Sequence, residues 1–232
     1  MPSTGPDIEI WVADASNSAW AAASRGGGED PERLSAVGRE LEAAIRGQGG
    51  YFGPSNISHS GQRVALAVGR SPNVVRLGVD MEVRRRPPRP RAFARRILAP
   101  GEESASDLVG AWTVKEAALK ATREGLAADP RAWRFDDLEC HDPRLVTAPS
   151  AWGPPENWAF LRTEVEGPAA LALAVRLNKI HSLDVCVRSV HGPGDVSTPD
   201  PCSSFCLRWS PRGLPAASCA GAFRNRSDKV KS

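Results

Sequence analysis

From Val74 to Val83 the residues alternate strictly enough to constrain both the backbone and the direction of each side chain. The odd positions Val75, Leu77, Val79, Met81 and Val83 are apolar, while the even positions after Val74 are Arg76, Gly78, Asp80 and Glu82. In an extended strand alternate side chains share a face. The pattern therefore predicts a β-strand with one face in a core and Asp80 and Glu82 together on the other. Two carboxylates about 7 Å apart on one face repel each other unless a cation or basic group lies between them. Such hard oxygen ligands suit Mg²⁺, which also takes waters and phosphate oxygens. A solvated outer face is the plain alternative reading of an Asp-x-Glu strand. Gly78 beside them leaves room for something to approach the backbone.

Three helices are predicted around this strand. The first opens at Asp30-Pro31-Glu32 and runs to about Ile45, with proline and an acid in its first turn. A short one covers Arg91 to Leu98 and stops at Pro100-Gly101. The longest starts near Glu103, carries Leu108, Ala111, Trp112, Ala118, Leu119 and Thr122 along one side, and ends at Gly125. On that helix Trp112, Glu116 and Lys120 occupy consecutive turns of one side. Lys115 falls in line with the apolar stripe, where an unpaired ammonium is costly, so either its stem snorkels or its charge answers an anion. Alone, Glu116 and Lys120 make an ordinary surface pair.

Two stretches read as hairpins around Gly/Pro turns. In one, Val64 to Val68 leads through Gly69 to Asn73 into Val74 to Val83. In the other, Trp158 to Leu161 leads through Glu166-Gly-Pro168 into Ala170 to Val175. Before the first lies Ser55-Asn-Ile-Ser58-His59-Ser60-Gly61, a polar segment read as a loop, either a plain turn or a phosphate contact.

The 232 residues suffice for one large domain or two small ones. Apolar residues reach only 41%. The longest apolar run, Ala169 to Val175, falls far short of the roughly 20 residues of a membrane span. The N-terminus lacks a basic-then-apolar signal segment, so a cytoplasmic location is expected. Charge is uneven: residues 177–232 carry eight Lys/Arg against four Asp/Glu, and residues 1–176 carry 22 against 23. A generally basic, nucleic-acid-binding body is not supported. Four of the five cysteines, Cys186, Cys202, Cys206 and Cys219, lie in the last 56 residues and match no CxxC spacing, so free thiols are expected. With nine serines, five prolines and no sustained periodicity, residues 179–232 read as a disordered extension.

Taken in order, Ser-Asn-Ile-Ser-His-Ser60, Leu77-Gly-Val-Asp-Met-Glu82 and Trp112-Thr-Val-Lys-Glu-Ala-Ala-Leu-Lys120 resemble the signature of Sfp-type 4′-phosphopantetheinyl transferases. Ala94 to Glu103 resembles the family's short helix and the turn into the long one, and Gly125-Leu126 with Trp133-Arg-Phe135 fits the exit from it. The resemblance covers about residues 50–176. It implies transfer of the phosphopantetheine arm of coenzyme A to a serine of an acyl or peptidyl carrier protein, with Mg²⁺ and release of 3′,5′-ADP. It also implies roles for individual residues. Asp80, Glu82 and Glu116 are expected to hold the metal, and Glu116 to serve as base. Lys120 would bond the pyrophosphate, Ser58 and His59 would contact the 3′-phosphate of coenzyme A, and Lys115 would be a further phosphate contact.

The fold the family implies is α+β, two pseudo-symmetric halves that each pair a small antiparallel sheet with a helix, with the active site in the cleft between them. The halves are placed at about 1–83 and 84–178. The family usually has a longer N-terminal half, so Arg33 and Arg39 are candidate stand-ins for its basic contacts to coenzyme A. The run Arg84-Arg-Arg-Pro-Pro-Arg-Pro-Arg91 reads as a solvated loop or as a docking surface for an acidic carrier. A non-catalytic coenzyme A or carrier-protein binding protein on the same fold is the alternative function, and the intact acids favour activity. A basic interaction module acting through residues 84–91 and the tail explains the charge layout but not the acidic strand.

Overall fold

Asp30 starts the first helix as expected: its carboxylate accepts the Glu32 amide at 3.1 Å, with Pro31 in the first turn. In the computed structural model, which describes residues 5–17, 19–20, 30–84, 87, 89–165, 169–197 and 204–211, this is α1 (Pro31–Gly47). It follows β1 (Ile8–Asp14) and precedes β2 (Ser55–Ser60), β3 (Arg63–Gly69) and β4 (Val74–Val83). Then come α2 (Pro90–Ile97), α3 (Leu108–Thr122), β5 (Arg134–Asp136) and β6 (Arg144–Thr147). The described chain closes with β7 (Trp158–Val165), β8 (Ala169–Leu177), β9 (Leu183–Val190) and β10 (Ser204–Trp209). The fold is α+β. Among the described residues no helix is long and apolar enough to cross a membrane.

Two sheets carry the architecture. One has the order β10-β9-β1-β3-β2, the other β4-β8-β7, and β5 with β6 forms a separate ribbon. All pairings are antiparallel except β1 with β9. Side-chain alternation builds four layers from them. Ile8, Ile10 and Val12 of β1, Ala65 and Ala67 of β3, and Leu77, Val79 and Met81 of β4 meet Leu171, Leu173 and Val175 of β8 in a core between the sheets. The opposite face of β3, Val64, Leu66 and Val68, lies beneath Leu34, Val37, Leu41 and Ile45 of α1. The opposite face of β8, Ala172 and Ala174, lies beneath α3. Small residues on the helix side of β8 let α3 settle close to the sheet.

Three expectations are corrected here. The first concerns residues 64–83, which form no hairpin: β3 pairs with β1 and β2, whereas β4 pairs with β8 in the other sheet. The 158–175 pair is a hairpin, β7 with β8, and its Glu166–Pro168 turn lies outside the described residues. Second, the long helix starts at Leu108 rather than Glu103, because Glu102 is buried with its carboxylate accepting the Ala99 and Phe135 amides at 2.6 and 2.7 Å. It ends on Arg123 in the left-handed region (φ 62°), two residues before Gly125. The third correction is the largest. Residues 183–190 are an internal strand beside β1, with Leu183, Val185 and Val187 buried in the inter-sheet core, and β10 adds Trp209 to the same core. The extension expected from 179 onward as disordered thus supplies two strands to the sheet that contains β1, β2 and β3. Its polar composition concealed one period-2 run, and a strand is stabilised by its neighbours in the sheet rather than by average local content. Residues 212–232 lie outside the described part.

Candidate active site

The crossing of α3 over β4 is made possible by Gly78. A Cβ there would lie 2.1 Å from the Ala117 carbonyl oxygen and 2.5 Å from the Ala121 amide, so the approach foreseen at this glycine is that of the protein's own helix. The contact places Glu116 and Lys120, a turn apart on α3, over Asp80, two residues along the strand. Lys120 Nζ donates to Asp80 Oδ1 at 2.6 Å. Asp80 is 2% exposed, and its second oxygen, Oδ2, is buried without a partner, as is Oε2 of Glu116.

The Asp80 charge raises the proton affinity of both neighbouring glutamates. Burial, and then the charge of Asp80, push the Glu116 carboxyl above the ordinary glutamate value, with Glu82 adding to the effect. The Glu82 carboxyl is raised by burial and then by Asp80, against hydrogen bonds from Ser60 and Trp112. Trp112, one turn before Glu116, packs edge-on against Phe93 of α2 at 5.9 Å.

The opposite wall comes from β2. The polar segment read as a loop is an edge strand, and its alternate side chains stand in for a missing backbone partner of β4. Asn56 Oδ1 accepts the Val79 amide at 2.9 Å, Ser58 Oγ the Met81 amide at 3.2 Å, and Ser60 Oγ the Val83 amide at 3.1 Å. The constant offset of 23 residues is a ladder in which one rung is a side chain. The two serines also donate onward, Ser58 Oγ to Asp80 Oδ1 at 2.9 Å and Ser60 Oγ to Glu82 Oε2 at 2.9 Å. Ser58 is further bonded by Lys120 Nζ at 2.8 Å. Its oxygen holds Asp80 and Lys120 in place. Neither Asn56 nor Ser60 was singled out from sequence. The Asn-x-Ser-x-Ser spacing carries the signal, although by itself it reads as a loop, either a plain turn or a phosphate contact.

His59 projects from the other side of β2, half-buried, with Nε2 3.5 Å from Ser35 Oγ of α1. Burial and then the Lys120 charge hold its pKa below the usual imidazole value. Arg33 is buried and bonds the Ala15 carbonyl at 2.7 Å, a structural use, whereas Arg39 is exposed on the same helix.

Lys115 is placed away from this cluster. It is 0% exposed, and its ammonium donates to Glu102 Oε2 at 2.7 Å, the Trp133 carbonyl at 2.7 Å and the Pro130 carbonyl at 3.3 Å. Three donors meet three acceptors, and the anion that answers Lys115 in this structure is Glu102. In the basic run, Arg84 is paired with Asp107 at 2.7 Å and Glu164 at 2.9 Å. Arg85, Arg86 and Pro88 lie outside the described residues. Arg91, Arg95 and Arg96 are exposed on α2.

Among the described residues no group of three or more His, Cys, Asp or Glu side chains is drawn together closely enough to hold a metal as it stands. The donor chemistry nevertheless fits a hard divalent cation. Asp80 and Glu116 each hold a buried oxygen with no donor, and Glu82 and Glu116 resist ionising beside Asp80.

Carboxylates that repel one another around a lysine, at a strand–helix crossing between two sheets, are a set suited to handling phosphates with a cation. Residues 76–174 match the model of the 4′-phosphopantetheinyl transferase superfamily. The matched segment contains Asp80, Glu82, Glu116 and Lys120 and stops short of Ser58 and His59. Phosphopantetheine transfer is the activity class it supports. No curated protein matches the chain.

Proposed function

We propose that this protein transfers the 4′-phosphopantetheine group of coenzyme A to a serine of an acyl or peptidyl carrier protein, dependent on Mg²⁺ and releasing 3′,5′-ADP. The observation that carries the reading is the pair of buried, unpartnered oxygens Asp80 Oδ2 and Glu116 Oε2 beside Lys120. Such oxygens cost free energy in the empty protein that a cation offsets. Asp80, Glu116 and Glu82 are the residues that would hold Mg²⁺, which when bound neutralises charge on the pyrophosphate oxygens.

The protein's own side chains supply the remaining steps. Glu116, its carboxyl raised by burial and Asp80, is a stronger base than an exposed glutamate and takes the proton of the carrier serine, directly or through a water. The serine oxygen bonds to the phosphorus that bears the pantetheine, and the bond from that phosphorus to the 3′,5′-ADP oxygen breaks. Lys120, a quarter exposed, donates to the pyrophosphate as charge develops there. His59, held neutral near pH 7 by its lowered pKa, offers a ring N–H to the 3′-phosphate. This reading places the reaction in the cytoplasm, with coenzyme A.

Mass spectrometry of carrier domains incubated with the protein, coenzyme A and Mg²⁺ tests it. The expected result is a gain of one phosphopantetheine group on the carrier serine, lost in Glu116→Gln and in chelator. Coenzyme A binding without any gain across a panel of fatty-acid, polyketide and peptide carriers would overturn it and leave a binding protein.

A further inference from the structure

Cys186 on β9 and Cys206 on β10 are direct partners in an antiparallel ladder. Opposed residues of such a ladder project to one face with Cα atoms about 4.5–5.5 Å apart, within the roughly 4.4–6.8 Å that a disulfide spans without backbone movement. The two side chains already hydrogen-bond each other as thiols. Their surroundings differ. Cys186 is 5% exposed on a strand flanked on both sides, by β1 and β10, whereas Cys206 is exposed on the edge strand. Within the sheet β10 is paired only with β9. Nothing in the proposed transfer chemistry uses either thiol.

We propose that Cys186 and Cys206 form an oxidation site, a dithiol that a hydroperoxide converts into a cross-strand disulfide tying the edge strand to the interior of the sheet. Exposure makes Cys206 the sulfur that the oxidant reaches. Its thiolate attacks the peroxide O–O bond, giving a sulfenic acid and, from hydrogen peroxide, one water after proton uptake. The Cys186 sulfur then displaces that oxygen as a second water, its own proton leaving with it. In sum, two thiols and one hydrogen peroxide give one disulfide and two waters. Burial, and then the hydrogen bond to Cys206, push the Cys186 thiol up to about 11, so it stays protonated until its partner has been oxidised. Cys140 is exposed too but lies between β5 and β6, outside their ladder, which contains no cysteine. The ring closed by the bond contains residues 187–205, so in the oxidised protein β10 cannot fray from β9.

The test uses the full chain, treated with stoichiometric hydrogen peroxide, alkylated and digested. The expected result is a peptide pair linking Cys186 to Cys206, two alkylatable thiols lost per chain, an upward shift in melting temperature and full reversal by dithiothreitol. Cys206→Ser, at an exposed position, and Cys186→Ser both abolish the link, and Cys140→Ser keeps it. Preferential linkage of Cys206 to Cys202 or Cys219, or alkylation of both thiols after peroxide, overturns the proposal. So does accumulation of Cys206 sulfinic acid with Cys186 still free.

Discussion

Ser58 Oγ donates to Asp80 Oδ1 at 2.9 Å while accepting the Met81 amide at 3.2 Å and the Lys120 ammonium at 2.8 Å. One hydroxyl on an edge strand therefore fixes a buried carboxylate, closes a gap in the backbone ladder of β4 and anchors the lysine of α3. Ser58→Ala removes all three bonds and leaves a buried amide without a partner, which costs about 1–3 kcal/mol. The expected outcome is a lower denaturant midpoint at unchanged slope, together with reduced transfer. Ser58→Thr keeps the hydroxyl and recovers most of both.

The acids on either side of Asp80 make a pH prediction with a definite sign. Glu82 and Glu116 have folded-state pKa values raised above the ordinary glutamate value, chiefly by burial. The folded protein therefore binds protons more tightly than the unfolded chain. These two groups favour folding on the acid side, and that contribution is lost as pH rises from about the ordinary glutamate value through the raised one. In chelator, Glu116→Gln should melt higher than wild type near neutrality, and the difference should shrink as the solution is acidified. A gap that widens on acidification would refute the assignment. Added Mg²⁺ should raise the melting temperature of wild type more than that of the variant.

Gly78→Ala tests the helix–strand crossing. The new methyl would meet backbone atoms of Ala117 and Ala121, which cannot rotate away as a side-chain tip can. Displacing α3 is expected to cost about 3 kcal/mol and to pull Glu116 and Lys120 off Asp80. Calorimetry should show a lower melting temperature, and transfer should fall by more than the loss of folded protein explains.

Truncation after Asn178 removes β9 and β10. Ile8, Ile10 and Val12 then lose Leu183, Val185, Val187 and Trp209 from their core, and β1 is left with an open edge. The expected outcome is insoluble or unfolded protein, read by circular dichroism and gel filtration. A cooperative melt close to that of the full chain would show that these strands contribute little.

Much of the site was legible because its residues sit on elements with strong local patterns. Asp80 and Glu82 follow from strict alternation, and Glu116 and Lys120 from helical spacing. Lys115 was legible as a problem, an ammonium on an apolar stripe, but not as a solution. Glu102 lies 13 residues away, and only folding brings it against Lys115. The polar segment of β2 is hard to read because alternating Asn, Ser and Ser look like loop residues until the amides they serve are known.

Local order along the chain was enough to specify the acidic strand, the capped first helix, the Trp-to-Lys helix and the family they resemble, since strand and helix periods are properties of neighbouring residues. Tertiary structure alone decided which strands share a sheet, that β9 and β10 complete the one begun at Ile8, and that Ser58 and Lys115 bond to partners inside the protein. Pairing partners, burial and the neutralising of a charge all depend on residues far apart in sequence. For those the pattern at one place carries no information about what folding sets opposite it.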